Sequence, residues 1–121
     1  YSSLGLAPAI ATPALQCSAN GTGTVRNSVI LTSNGPEVDC AGISIETSAL
    51  GQAMGDNTAL GALDINWFTD YLGGDLHLSG THPPALETAA VWLDGDPSQD
   101  IDGDARPTMA DTPDVAGADV P

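Results

Sequence analysis

Apolar and polar residues follow a β-strand pattern in two stretches of the first half of the chain. In residues 25–33, a run rich in β-branched residues, three apolar side chains fall at odd-numbered positions, which lie on one face of a strand. In residues 41–50, apolar side chains alternate with polar ones. The residues that carry this pattern are Val25, Val29, Leu31, Ile43 and Ile45. Turn signals rich in Asn, Gly and Pro bound the first stretch at residues 20–23 and 34–36. The pattern therefore predicts two strands.

The two predicted strands repeat each other. Asn27-Ser28-Val29-Ile30 is echoed 20 residues later by Thr47-Ser48-Ala49-Leu50, and Cys17 and Cys40 are 23 residues apart. A period in the low twenties is that of one coil of a β-solenoid. One coil cannot bury its inner face alone, so neighbouring coils must stack to form a core.

The flanking sequence divides the chain into three segments. Residues 1–24 form an apolar segment that prolines keep extended, and residues 25–78 contain the predicted coils. Within them, residues 65–78 have a hairpin-like frame around Gly73-Gly74. Residues 79–121 are rich in Pro, Asp and Gly, which predicts an irregular terminal segment.

The charge balance excludes several classes of partner. The chain of 121 residues has 16 acidic residues against two arginines and no lysine, for a net charge of −14. Nucleic acids and anionic membranes need cationic contacts, so we expect neither as a partner. No apolar stretch approaches the roughly 20 residues of a membrane span, and the first residues lack the basic region of a signal peptide. We expect a processed start or one piece of a longer product.

The two cysteines admit two interpretations. No CxxC motif or Cys/His cluster surrounds Cys17 and Cys40, which argues against a zinc site built on them. We favour a disulfide between them, as expected in an oxidising compartment. The alternative is a pair of buried thiols that pack as small apolar side chains.

Five motifs in the second half of the chain resemble the C-terminal region of bacterial right-handed parallel β-helix repeat surface proteins of the choice-of-anchor type. They run in the family's order over residues 66–119. The motifs are Trp67-Phe68-Thr69-Asp70, Gly74-Asp75-Leu76-His77-Leu78, Pro84-Ala85-Leu86-Glu87, Asp100-Ile101-Asp102-Gly103-Asp104-Ala105-Arg106-Pro107 and Pro113-Asp114-Val115-Ala116-Gly117-Ala118-Asp119. The last motif has one extra residue, Ala116, and the chain ends in Val120-Pro121 in place of the family's acid-aromatic ending.

The resemblance implies an all-β fold, a right-handed parallel β-helix whose terminal coils are closed by an irregular cap at residues 79–121. It also implies an extracellular or cell-surface location. It implies no reaction, because solenoid folds carry many functions.

An acidic run is the sharpest chemical feature of the sequence. Carboxylates at alternating positions around Gly turns can converge on calcium. The residues of this predicted metal site are Asp94, Asp96, Asp100, Asp102 and Asp104. The run is not an EF-hand loop, because Ala105 stands where that loop needs Gly.

A structural role for the run is the interpretation that we favour over calcium. Arg106 is one of only two cationic residues, and we expect it to pair with Asp102, Asp104 and Asp114. The other aspartates would then bond to backbone N–H groups in turns.

Aromatic and histidine residues suggest sites more weakly. Trp67, Phe68 and Tyr71 are candidates for a sugar-stacking platform, although we favour a role in closing the core. His77 lies between two leucines and is predicted to be packed, and His82 precedes two prolines and is predicted to lie on a loop. No G-x-S-x-G motif supports a Ser/His/Asp hydrolase.

We therefore expect a non-catalytic structural or adhesive module of a secreted or cell-surface protein. Its partner would be further polypeptide: an upstream segment, another chain or a neighbouring copy. One alternative is the C-terminal part of a polysaccharide-degrading enzyme, a lyase or glycoside hydrolase with its site outside this segment. Another is a calcium-dependent carbohydrate-binding module, so polysaccharide remains a candidate ligand. The sequence singles out no catalytic residue.

Overall fold

The computed structural model describes residues 1–5, 11–18, 21–33 and 35–121. Residues 6–10, inside the predicted apolar segment, lie outside the described residues, as do Asn20 and Asn34 of the two predicted turns. The division into residues 1–24, 25–78 and 79–121 stays a prediction.

Within the described ranges, the chain forms short strands and three short 3₁₀ helices. The strands are β1 (Ser3–Gly5), β2 (Leu15–Gln16), β3 (Gly23–Arg26), β4 (Val29–Leu31), β5 (Val38–Asp39), β6 (Ile43–Glu46), β7 (Ala49–Leu50), β8 (Thr58–Ala59), β9 (Phe68–Asp70), β10 (Asp75–Leu78), β11 (Ala90–Trp92) and β12 (Thr112–Asp114). The 3₁₀ turns are Ile65–Trp67, Tyr71–Gly73 and Pro84–Thr88.

The strands of the first half pair in parallel, and those of the second half pair antiparallel. One parallel sheet has the order β1-β4-β7-β8, and two smaller ones pair β2 with β5 and β3 with β6. Val29 pairs with Ala49, and Gly23 pairs with Ile43. The sequence echo therefore corresponds to the register of two parallel sheets. The antiparallel pairs are β9 with β10 and β11 with β12.

The predicted right-handed parallel β-helix is wrong. The described strands are two to four residues long and lie in separate sheets of two to four strands, with no closed or solenoid sheet among them. The 20-residue spacing does not continue along the chain. Ala49 pairs next with Thr58, only a short loop away, and from Phe68 onward the pairing is antiparallel. Two echoes in the sequence were too few to define a repeat.

Each of the two predicted long strands is broken by a corner. Asn27 and Thr47 have φ angles of 55° and 43°, in the left-handed region, so β3 and β6 end just before them. The backbone N–H of Ser28 donates to the Ser48 hydroxyl oxygen at 3.1 Å, which stacks one corner on the next. The backbone N–H of Ser48 donates in turn to the side-chain oxygen of Asn57 at 2.9 Å.

The four-stranded sheet is buried on both faces. Val29 and Leu31 pack with Phe68 and Leu86 in one core cluster, whereas Ile30 packs with partners from the smaller parallel sheets in a second. A strand buried on both faces has a continuous apolar run, as β4 does.

The C-terminal segment packs beside the first strands, which corrects the predicted irregular cap over the last coil. Asn27 pairs with Val91 in both directions, through Asn27 Nδ2 to Val91 O at 2.9 Å and Val91 N to Asn27 Oδ1 at 3.1 Å. The backbone N–H of Gly117 donates to Asn27 O at 3.0 Å. The segment takes this position because its apolar residues, among them Leu86 and Ala116, cover the face of the four-stranded sheet that carries Val29 and Leu31.

Candidate functional site

A β-hairpin places His77 at the centre of a cluster of carboxylates. Strands β9 and β10 form the predicted hairpin, and its turn passes through Gly74, whose φ is 88°. The carboxylate of Asp70 accepts a hydrogen bond from the backbone N–H of Gly73 at 3.0 Å and so closes the preceding 3₁₀ turn. His77 lies on β10 with its side chain 39% exposed.

Asp75 orients the imidazole ring of His77. Its Oδ1 accepts from the backbone N–H of His77 at 3.2 Å and contacts Nδ1 of the same ring at hydrogen-bonding distance. Alternate residues of a strand share a face, which is why Asp75 reaches the ring two residues on. This contact puts a proton on Nδ1 and directs Nε2 toward the C-terminal segment.

Asp100 fixes the turn and the tail that face His77. Its Oδ1 accepts from the backbone N–H groups of Asp102 at 2.9 Å and Asp104 at 2.8 Å. Its Oδ2 accepts from the backbone N–H of Val120 at 2.9 Å. Burial acts to raise the pKa of Asp100, but the N–H groups of Val120, Asp104, Asp102 and Gly103 together hold the pKa below its usual value.

Asp119 and Asp102 complete the cluster. Asp119 is only 6% exposed, and its Oδ2 accepts from the backbone N–H of Leu78 at 2.7 Å. Asp102 is exposed, and its Oδ2 lies 2.7 Å from Nε2 of His77. One donor atom from each of His77, Asp102 and Asp119 falls within 4.8 Å of the others.

The environment of His77 favours a positive charge. The hydrogen bond with Asp75 raises the pKa of His77 most, the charges of Asp102, Asp75 and Asp119 raise it further, and burial opposes them. Nε2 is buried and makes no hydrogen bond within the described part of the chain, although Asp102 Oδ2 lies 2.7 Å away.

The acidic run predicted as a calcium site does not converge on one point. Asp96 binds Arg26, with its two oxygens at 2.7 and 2.5 Å from Nη2, and it also accepts from the side chain of Asn27 at 3.3 Å. Asp94 and Asp104 are exposed. Of the predicted ligands, only Asp102 supplies a donor atom to the cluster, and Asp100 positions it.

Arg106 is buried and pairs with one of its three predicted partners. Its side chain donates to Asp114 Oδ2 at 3.1 Å, Val115 O at 3.1 Å and Gly117 O at 2.9 Å. Its guanidinium carbon lies 4.2 Å from the centre of the Tyr1 ring, a cation–π contact. The other two predicted partners, Asp102 and Asp104, are exposed, and no ion pair joins them to Arg106 in the described structure.

The three aromatic residues considered for sugar stacking belong to the core. Phe68 is buried, and its ring centre lies 5.5 Å from that of Tyr71 at an interplanar angle of 39°. Trp67 and Tyr71 are partly buried and pack against the same core cluster. The packing agrees with a role in closing the core, and sugar stacking by the partly exposed Trp67 and Tyr71 stays a prediction.

Two other polar sites lie away from this cluster. The side chain of His82 is 9% exposed, and its ring contacts Ser79 O at 2.5 Å and Glu87 Oε1 at 3.2 Å. Thr32, Glu37 and Gln52 line a groove of about 360 Å³. Burial raises the pKa of Glu37, although backbone N–H groups, including that of Gly51, counteract this effect.

The predicted disulfide between Cys17 and Cys40 is confirmed. The two Cα atoms are 4.9 Å apart, and the bridge follows directly after the paired residues of β2 and β5. It ties one parallel pair of strands covalently.

Sequence reasoning missed the contacts of His77 and Asp119. The alternation Asp75-Leu76-His77 on a strand was a usable signal, because it places the carboxylate and the imidazole on one face. Asp119 gave no signal, since its approach to His77 depends on the path of the tail.

No family model matches the chain, and neither a curated protein nor a solved structure matches it. In the part of the chain that the structure describes, the helical turns are all too short to cross a bilayer.

Proposed function

We propose that this chain is a non-catalytic structural or adhesive module of a secreted or cell-surface protein. In this proposal the parallel strands and the C-terminal segment fold as one unit, which works as part of a larger assembly. The proposal rests on one observation: the basic side chains are held in contacts within the fold.

The chain has two arginines and two histidines, and the fold uses all four. Arg26 and Arg106 are paired with Asp96 and Asp114. His77 is surrounded by carboxylates, and His82 is largely buried against Ser79. Proton abstraction from an acidic sugar needs a basic group that faces the substrate. The structural commitment of these groups therefore favours a module over a lyase.

Two features support the extracellular setting. The Cys17–Cys40 disulfide is of the kind that persists in oxidising compartments. The motif order over residues 66–119 resembles that of bacterial surface proteins. Support for further polypeptide as the partner comes from the small parallel sheets. Among the described residues their outer strands pair on one side only, which leaves edges that another chain can pair with.

Incubation of the purified chain with a panel of neutral and uronate-containing polysaccharides tests the proposal. Product formation is measured as new reducing ends and as unsaturated uronate, and binding is measured by affinity electrophoresis. We expect no more product than with the heat-denatured chain, whether or not calcium is present. Retention without turnover supports an adhesive role, and neither retention nor turnover supports a structural one. Turnover above the denatured control would overturn the proposal.

A further inference from the structure

A buried carboxylate and an imidazole nitrogen meet where β10, the turn at residues 100–104 and the C-terminal tail come together. Asp119 is 6% exposed and has no ion-pair partner among the described residues. Nε2 of His77 is buried there without a hydrogen bond. The arginines do not compensate this charge, because they are paired with Asp96 and Asp114. His77 is the basic group beside Asp119, and Asp75 and Asp102 contact the same ring. One imidazole among three carboxylates leaves negative charge that a divalent cation would balance.

The position of the ring places Nε2 among carboxylate oxygens. Nδ1 of His77 contacts Asp75, so Nε2 is the ring nitrogen that faces the cluster. Nε2 lies 2.7 Å from Asp102 Oδ2 and within 4.8 Å of a carboxylate oxygen of Asp119. It makes no hydrogen bond among the described residues, which leaves it available to a metal ion.

We propose that His77, Asp102 and Asp119 bind a divalent transition-metal ion of the zinc class. Imidazole nitrogen with carboxylate oxygen is a donor set that suits Zn²⁺, whereas Ca²⁺ takes six to eight oxygen ligands. A tetrahedral zinc site places its donor atoms about 3.3 Å apart. The three donors lie within 4.8 Å of one another, so small side-chain rotations bring them to that spacing.

Two further aspartates support the three ligands. The contact from Asp75 to Nδ1 fixes the ring and increases the basicity of Nε2, an arrangement common behind metal-binding histidines. Asp100 holds both the turn that carries Asp102 and the tail that carries Asp119. The ion would therefore tie β10, this turn and the tail together. This inference goes beyond the proposed function and does not depend on it.

Metal titration of the EDTA-stripped full chain tests the site. Zn²⁺ affinity is measured by competition with a chromophoric chelator, Ca²⁺ is titrated in parallel, and Co²⁺ is added as a spectroscopic probe. We expect one equivalent of Zn²⁺ to bind, and Co²⁺ to give the visible absorption of a low-coordinate nitrogen and oxygen site. His77→Gln and Asp102→Asn should each weaken Zn²⁺ binding at least tenfold.

Asp104→Asn is the matched control. It removes the same charge from the same turn at an exposed residue outside the cluster, so its Zn²⁺ affinity should stay within about twofold of the wild type. Asp102 is also exposed, so Asp102→Asn remains informative if His77→Gln fails to fold. Equal affinities of Asp102→Asn and Asp104→Asn would overturn the proposal. Failure to bind Zn²⁺ would also overturn it, as would ¹⁵N spectra in which His77 stays an imidazolium in the presence of excess Zn²⁺.

Discussion

Replacement of Arg106 by alanine removes a buried ion pair inside the C-terminal segment and the cation–π contact between that segment and Tyr1. The side chain is 1% exposed, and its partner Asp114 is 3% exposed, so the ion pair is screened little by solvent. The substitution leaves a buried carboxylate uncompensated and removes the donors to the carbonyls of Val115 and Gly117. Breaking one side of a buried pair costs about 3–5 kcal/mol. We expect Arg106→Ala to lower the free energy of unfolding by that amount.

Urea denaturation followed by tryptophan fluorescence measures this loss. The partly exposed pair of Arg26 and Asp96 supplies the matched control, and Arg26→Ala should cost about 1–2 kcal/mol. The double variant Arg106→Ala/Asp114→Asn should recover part of the loss, because no buried charge remains. A loss below about 0.5 kcal/mol for Arg106→Ala would show that the side chain behaves as a surface charge, since that is the range of surface substitutions. A loss equal to that of Arg26→Ala would contradict the prediction too.

Three further predictions concern other parts of the fold. Reduction of Cys17–Cys40, which closes a loop of 23 residues, should cost about 3 kcal/mol and lower the melting temperature measured by calorimetry; an unchanged melting temperature would contradict this. Asn27→Ala should cost about 2–4 kcal/mol in urea denaturation, because it unpairs the backbone of Val91 and strains a positive φ; a smaller loss for Asn27→Ala than for an exposed asparagine would contradict this. Burial raises the pKa of Glu37, so its carboxyl group binds a proton more tightly in the folded chain than in the unfolded chain. The free energy of unfolding therefore falls as the pH rises above 4.5. Glu37→Gln should therefore raise the melting temperature at pH 7 but not below pH 4.5, and a lower value at pH 7 would contradict this.

Local patterns in the sequence predicted local structure well. The alternation around Ile43 and Ile45 indicated strand β6, the Gly73-Gly74 frame indicated the β9–β10 hairpin, and the cysteine spacing indicated the disulfide. These features depend on contacts between neighbours in sequence or in adjacent strands. The corner at Asn27 was missed, because valines on either side of it, Val25 and Val29, look like parts of one continuous strand. The left-handed backbone at Asn27 breaks that strand.

The same reasoning did not predict the overall fold. Echoes at Asn27 and Thr47 predicted a solenoid, whereas they mark two stacked corners, and parallel pairing continues only as far as Ala59. From Phe68 onward the pairing is antiparallel. The candidate metal site was missed for a similar reason. Asp119 lies near His77 while its carboxylate binds the backbone of Leu78 and Asp100 binds the backbone of Val120, and these residues come together only after folding.

The proposed module requires the parallel strands and the C-terminal segment to fold as one cooperative unit. Native-state hydrogen exchange tests this at two amides, Ala49 in the four-stranded sheet and Gly117 in the segment, which donate to Ser28 and Asn27. We expect both amides to exchange through the same global opening, with free energies within about 1 kcal/mol, and Arg106→Ala to lower both together. A Gly117 amide that exchanges freely while Ala49 stays protected would contradict the proposal, because the segment would then detach without unfolding the strands.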